Sequence, residues 1–354
     1  MKIRCNAFYG WAGALLVAPS VLAAPVSNPA NLLIFGNSLS DTGNTAQLVG
    51  GEGYFEGRAS NSYVWNEYAA KILGMNLVNR AYSGATSDND LSPATSGNIS
   101  IPSLHDQVTM WLQANPQPSQ YHLDNDVIEI EIGGNDILGH VGELLSGTTQ
   151  LTDFANKLAT TIASDIQRLA DVGYKNIVLW NLPAVDKTPA VNSLGAGALV
   201  KPVVDGINYA TNAYVEAVVK SDPVKTQGIR VFDLNNIMNV ALDPKVLQVL
   251  GITDSTDACY SKDTAGNVNI CTDADAHFFY DSIHPASRVH YLWGAAAAVL
   301  TRNPDAKMDI NEILSLISTY DIGHSNRNNN ILVDGITPSE SDYATATPTH
   351  TKCH

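Results

Sequence analysis

Short, mostly apolar runs recur along the chain at 32–35, 75–78, 127–132, 176–180 and 229–233, each bounded by Gly, Asn or Asp. Strands covered on both faces read this way, because neither face needs a polar set. Between them, apolar residues return every three to four positions at 62–73, 103–113, 152–172, 203–221 and 286–301, which predicts helices. Such alternation predicts a three-layer α/β/α sandwich on a parallel sheet. One more helix is expected at 308–317. The insertion between Trp180 and Ile229 and the stretch at 234–279 carry many turn residues and are expected to supply loops near the strand ends. A hydrophobic fraction of 45% over 354 residues is enough for a buried core, and no repeat or long linker splits the chain.

The first apolar run enters Gly36-Asn37-Ser38-Leu39-Ser40-Asp41, which places a hydroxyl at a strand's carboxyl end, where open α/β sheets bind their ligands. A serine hydroxyl is a weak nucleophile until an imidazole takes its proton, and the imidazole works best when a carboxylate fixes its orientation. Asp281-Ser282-Ile283-His284-Pro285 offers that pair three residues apart, ahead of a helix that Pro285 suits at its first turn. Oxyanion donors come from two further turns. Asn79-Arg80-Ala81-Tyr82-Ser83-Gly84 supplies the Gly84 N–H, and Gly133-Gly134-Asn135-Asp136, at another strand's end, supplies the Asn135 carboxamide. The Ser38 N–H makes a third donor. Each motif alone is as often an ordinary polar turn or a helix cap.

Together and in this order, Ser38, Gly84, Asn135 and His284 resemble the four signature blocks of the SGNH hydrolases, also called GDSL esterases and lipases. The similarity runs from about Leu32 to about Leu300. It includes Gly57-Arg58-Ala59-Ser60-Asn61 with Trp65, similar to the block after the nucleophile in lecithinase-like and fungal acetylesterase-like branches. The resemblance implies a flavodoxin-like strand order of 2-1-3-4-5, a catalytic set of Ser38, Asp281 and His284, an oxyanion hole of Ser38, Gly84 and Asn135, and no cofactor. Asn37 departs from the Asp usual before the nucleophile, which alters the charge of the turn but no triad member.

Lys2 and Arg4 precede an apolar stretch at 11–24 that ends in small residues, the pattern of a signal peptide cleaved after Ala23. The expected organisation is therefore a signal at 1–23, a hydrolase domain at 24–320 and a polar extension at 321–354. The formal charge of −15 becomes more acidic without Lys2 and Arg4, which argues against nucleic acid as a partner. Cys5 leaves with the signal. In an oxidising compartment Cys259 and Cys271 are the natural pair, closing a polar loop for on the order of 3 kcal/mol, and Cys353 is left over. This loop ends ten residues before Asp281, so it is either a surface staple or a lid over the site. Asp273, Asp275 and His277 alternate, as do ligands of a cation, but such groups near an active site are more often solvated or capping, and no metal is expected. His350, Cys353 and His354 are weaker candidates still.

The expected function is hydrolysis of lipid acyl esters, as by a lysophospholipase or phospholipase A, with acyl transfer where an alcohol outcompetes water. Phe35-Gly36-Asn37-Ser38-Leu39-Ser40-Asp41-Thr42-Gly43-Asn44 looks most like the secreted bacterial phospholipase and glycerophospholipid-cholesterol acyltransferase group. The expected partner is a lipid or other acyl ester, met by transient contact of an apolar rim with a membrane surface. A carbohydrate acetylesterase is the enzymatic alternative, and a binding module that has lost its chemistry is the alternative of another class.

Overall fold

The computed structural model describes residues 30–46 and 53–333. Five parallel strands, β1 (Asn31–Gly36), β2 (Asn76–Asn79), β3 (Val127–Glu131), β4 (Asn176–Trp180) and β5 (Gly228–Phe232), form a sheet in the order β2-β1-β3-β4-β5. This is the expected 2-1-3-4-5 order. Successive residues of a strand point to opposite faces, so Leu32 and Ile34 enter one core while Leu33 and Phe35 enter the other. The first core lies under α1 (Trp65–Leu73) and two helices near the chain's far end. The second lies under α2 (Leu104–Ala114), α4 (Leu151–Val172) and α5 (Gly197–Ser221). A three-layer α/β/α sandwich results, and none of the described helices is long and apolar enough to cross a membrane.

The carboxyl ends of β1 and β3 are forced close together. A Cβ at Gly36 would lie 2.5 Å from the Glu131 carbonyl oxygen, so only glycine lets the turn toward Ser38 begin there. Gln107 of α2 holds that glycine in place, accepting from its N–H at 2.9 Å and donating to its carbonyl at 2.9 Å.

Several helices differ from expectation. Gly134-Asn135-Asp136 is not a plain turn but opens α3 (Gly134–Ser146), which the interior glycines Gly139 and Gly142 conceal in the sequence. Burial of Ile137 and Leu144 and packing on α5 override that weak propensity. Helix α5 starts at Gly197 rather than at 203, with Pro202 inside it at the loss of one backbone hydrogen bond. The stretch after Asp233 is not a loop at first. Asp233 leaves the strand, caps α6 (Leu234–Ala241) by accepting from the Asn236 N–H, and α7 (Pro244–Leu250) follows.

Next come β6 (Asp254–Ala258), the hairpin β7 (Tyr260–Lys262) and β8 (Val268–Ile270), and β9 (His277–Phe279) parallel to β6. Cys259 and Cys271 are bonded across the base of that hairpin, with Cα atoms 4.9 Å apart. Helix α8 (Ser287–Arg302) carries Ala286 at its N-cap, so Pro285 stands before the helix and not in its first turn. There Pro285 bridges to Phe279, which fixes the loop that carries His284. After α9 (Ile310–Thr319) the chain stays packed on the first core through the buried Ile322 and Ile331. The segment read as a signal, Cys5, and the tail with His350, Cys353 and His354 lie outside the described residues.

Helix α8 sits close to α1 because Gly294 and Ala295 to Ala298 present almost no side chain. A Cβ at Gly294 would stand 2.4 Å from the Trp65 carbonyl oxygen and 2.7 Å from the Tyr68 Cβ. Gly294→Ala is expected to lower stability by about 1–3 kcal/mol, read from the urea midpoint; an unchanged midpoint would show that the two helices can part freely.

Candidate active site

Ser38 lies in the turn after β1, and His284 in the loop ahead of α8. Ser38 Oγ is 2.7 Å from His284 Nε2, and His284 Nδ1 is 2.7 Å from Asp281 Oδ2. The Asp281 carboxylate also accepts from the backbone N–H of Ile283 at 2.9 Å and of His284 at 2.7 Å, both on Oδ1. A fourth donor comes from far upstream, the Tyr54 hydroxyl, 2.8 Å from Oδ2. Burial alone would push the Asp281 carboxyl up, but the charge of His284 and the hydrogen bonds from the His284 ring and from the backbone of Ile283 and His284 outweigh it and bring it down to about 2. Asp281 is therefore a fixed negative charge across the working pH range. The arrangement is a relay from hydroxyl to imidazole to carboxylate, able to draw a proton from Ser38.

The sequence-proposed oxyanion donors surround the same hydroxyl. Gly84 and Asn135 line a cavity of about 300 Å³ with Ser38 and His284. Asn135 spends one amide hydrogen on the Ala85 carbonyl at 2.8 Å and keeps the other. Among the described residues no acceptor takes the N–H of Ser38 or Gly84. Gly84 has φ +86°, a conformation that other residues adopt at a cost. The N-terminus of α3 reaches the same place through Gly134 and Asn135, and its dipole favours negative charge there.

Residues that motif reading passed over hold these turns together. Asp41, fully buried, accepts from the N–H of Gly43, Asn44, Thr45 and Ser83 and from the Ser83 hydroxyl, tying the Ser38 turn to the Gly84 turn. Asp136 does the same one block later, accepting from the Ser87 N–H and hydroxyl. In the block at 57–61, Asn61 accepts from the Ser287 N–H at 2.8 Å and donates to Asp275 at 2.7 Å, while Arg58 forks onto Glu67. Asp275 is thereby a structural partner. His277 faces the Asp257 carbonyl and Asp254. Among the described residues, no three acidic, His or Cys side chains come together as metal ligands would.

A second, smaller cavity of about 50 Å³ also borders Ser38, between Leu39, Leu138, Pro183, Val185 and Ile283, with Glu131 in its wall. Of the two cavities, neither takes a described residue from 260–270, so the disulfide loop does not cover the hydroxyl as a wall of either.

The model of the family described as GDSL-like Lipase/Acylhydrolase matches residues 32–297. The chain belongs to that family. As a family member it is a carboxylic ester hydrolase, and among its relatives is the phosphatidylcholine-sterol acyltransferase of Aeromonas hydrophila, 28% identical over 69% of this chain and 70% of that protein. The thermolabile hemolysin of Vibrio parahaemolyticus is 24% identical over 73% of this chain, which spans 60% of the hemolysin's length. An acetylesterase of Thermothelomyces thermophilus is 25% identical over 81% of the chain and 92% of that protein.

The Asn at position 37 has a partner that accounts for it. Its side-chain amide faces Glu131 Oε1 at 3.4 Å, and Glu131 is buried with Oε2 unpartnered among the described residues. Burial pushes the Glu131 carboxyl up to about 8, with the Asn37 hydrogen bond opposing. An Asp at 37 would set two carboxyl groups against each other; the amide avoids this. A carboxyl raised in the fold stabilises fully below its unfolded value near 4.5, and that contribution is lost as pH rises through about 8. Glu131→Gln is therefore expected to gain stability over the natural chain as pH rises from 5 to 9, by a few kcal/mol at most. Asn37→Asp should destabilise at neutral pH, and adding Glu131→Gln should restore the pair. Parallel pH dependence of Glu131→Gln and the natural chain in urea unfolding would refute the pairing.

Proposed function

We propose that Ser38, His284 and Asp281 are the catalytic set of a secreted esterase that acts on lipid acyl esters through an acyl-serine intermediate. The observation that carries the reading is the unbroken run of 2.7 Å contacts from Ser38 Oγ through His284 to Asp281 at the edge of both cavities. Ser38 attacks the acyl carbonyl as its proton passes to His284 Nε2, and Asp281 holds the imidazolium. The N–H groups of Ser38 and Gly84 and the Asn135 amide receive the oxyanion. His284 then protonates the departing alcohol, and water, activated by the same imidazole, releases the acid.

The lipid substrate class is supported by the apolar lining of the small cavity and by the exposed Leu138 at its rim. Leu194 and Leu199, in the segment after Thr188, are exposed as well. The names of the hemolysin and acyltransferase relatives point the same way. Acyl transfer to an alcohol needs only that the alcohol displace water at the acyl-serine. Secretion is supported by the Cys259–Cys271 bond together with the amino-terminal pattern, and the proposed organisation keeps 24–320 as one hydrolase domain. A carbohydrate acetylesterase is the second reading, favoured by the coverage of the fungal acetylesterase.

A fluorophosphonate probe is expected to label the natural chain at Ser38 and to leave Ser38→Ala unlabelled and inactive. Asn135→Ala should lower kcat by about 10²–10³. Turnover by Ser38→Ala at the natural rate would end the assignment. Release of fatty acid from lysophosphatidylcholine, set against release of acetate from acetylated xylan, separates the two substrate classes: acetate alone would replace the lipid reading.

A further inference from the structure

Three of the four hydrogen bonds on the Asp281 carboxylate come from its own loop, from Ile283 and from the backbone and ring of His284. Donors so local can turn with the loop and do not fix where it stands relative to Ser38. The fourth does. Tyr54 belongs to the segment that follows the Ser38 turn, and its hydroxyl shares Oδ2 with His284 Nδ1 at 2.8 Å.

Tyr54 is itself wedged in place. Its ring lies 4.9 Å from the ring of Tyr260 and 5.6 Å from that of Tyr280. Tyr260 follows the disulfide-bonded Cys259, and its N–H donates to the Tyr280 carbonyl at 2.6 Å, while Cys271 donates its N–H to the Cys259 carbonyl at 2.9 Å. The Tyr280 hydroxyl in turn donates to the Gly53 carbonyl, beside Tyr54. Three aromatic rings backed by the disulfide thus clamp the Tyr54 segment to the residue just before Asp281. The Tyr54 hydroxyl stays a donor, because burial and the adjacent Asp281 charge raise it far above the usual phenol range.

We propose that Tyr54 is the positioning residue of the active site: it locks the Asp281 carboxylate, and through it His284, in register with Ser38, while the disulfide-closed hairpin acts as the backing that holds Tyr54 and not as a lid. The proposal rests on Ser38, His284 and Asp281 being the catalytic set.

The test compares Tyr54→Phe, which keeps the ring and removes the donor, with the natural chain, Asp281→Ala and the double variant. The readouts are the rate of fluorophosphonate labelling of Ser38 and ester turnover. Tyr54→Phe is expected to fold with an unchanged melting temperature, to lose about tenfold in kcat and in labelling rate, and to keep its KM. In the Asp281→Ala background the same change is expected to have no further effect, because Tyr54 acts through that carboxylate. An unchanged kcat, a raised KM at constant kcat, or an equal loss in the Asp281→Ala background would each overturn the proposal. Should Tyr54→Phe fail to fold, Tyr54→Met fills the space without a donor and takes its place. Absence of labelling at Ser38 in the natural chain would instead overturn the catalytic reading on which the proposal stands.

Discussion

The hydrogen bond between Ser38 and His284 joins groups 246 positions apart, and much of the molecule is arranged around that distance. One end is set by the sheet. Gly36 allows β1 and β3 to close up, and Gln107 grips the Gly36 backbone from α2. The other end is set by α8, whose small residues bring it against α1 and whose preceding loop is stapled to Phe279 and to the block at 57–61. A proton moves between heavy atoms less than 3 Å apart, so a shift of about 1 Å at either end would break the relay. The rigid parts of the fold are thus the parts that meet at the site.

Buried carboxyl groups take two different roles around this centre. Asp41 and Asp136 are surrounded by N–H and hydroxyl donors and act as knots that fix the turns. Glu131, with one weak donor and a bare oxygen, is held near neutral by its surroundings, as is Glu129, pushed by burial to about 7 against hydrogen bonds from Trp180 and Thr301. Asp281 is the exception that stays charged, with four donors on its carboxylate, one of them the ring of His284. The proposed chemistry fits this sorting: a permanent negative charge beside the imidazole, and uncharged or neutralised groups near the proposed nucleophile, where an oxyanion would form.

The sheet was legible because its strands are covered on both faces and so are mostly apolar, Glu129, Glu131 and Arg230 notwithstanding; all five observed strands lie within a residue or two of the expected runs. Helices whose apolar periodicity is strong, such as 152–172, were equally plain. Those with glycine or proline inside, at Gly139, Gly142 and Pro202, were not, since tertiary packing outweighs a propensity cost of about 1 kcal/mol for each glycine and about 3 kcal/mol for the proline. Helices α6 and α7 were hidden by their turn residues in the same way.

By itself the sequence determined the strand runs, the four motif turns and the Cys259 and Cys271 pair, because each is a local pattern of a few residues. Strand order came only with a family resemblance. Tertiary structure alone decided that Tyr54 reaches Asp281, that Asp41 binds Ser83, that Asn37 answers Glu131, and that Tyr260 of the disulfide hairpin lies against Tyr54 while residues 260–270 line neither cavity. These are pairings of unlike residues far apart in the chain, and no periodicity or spacing encodes them; they exist once the strand ends are brought to a common edge.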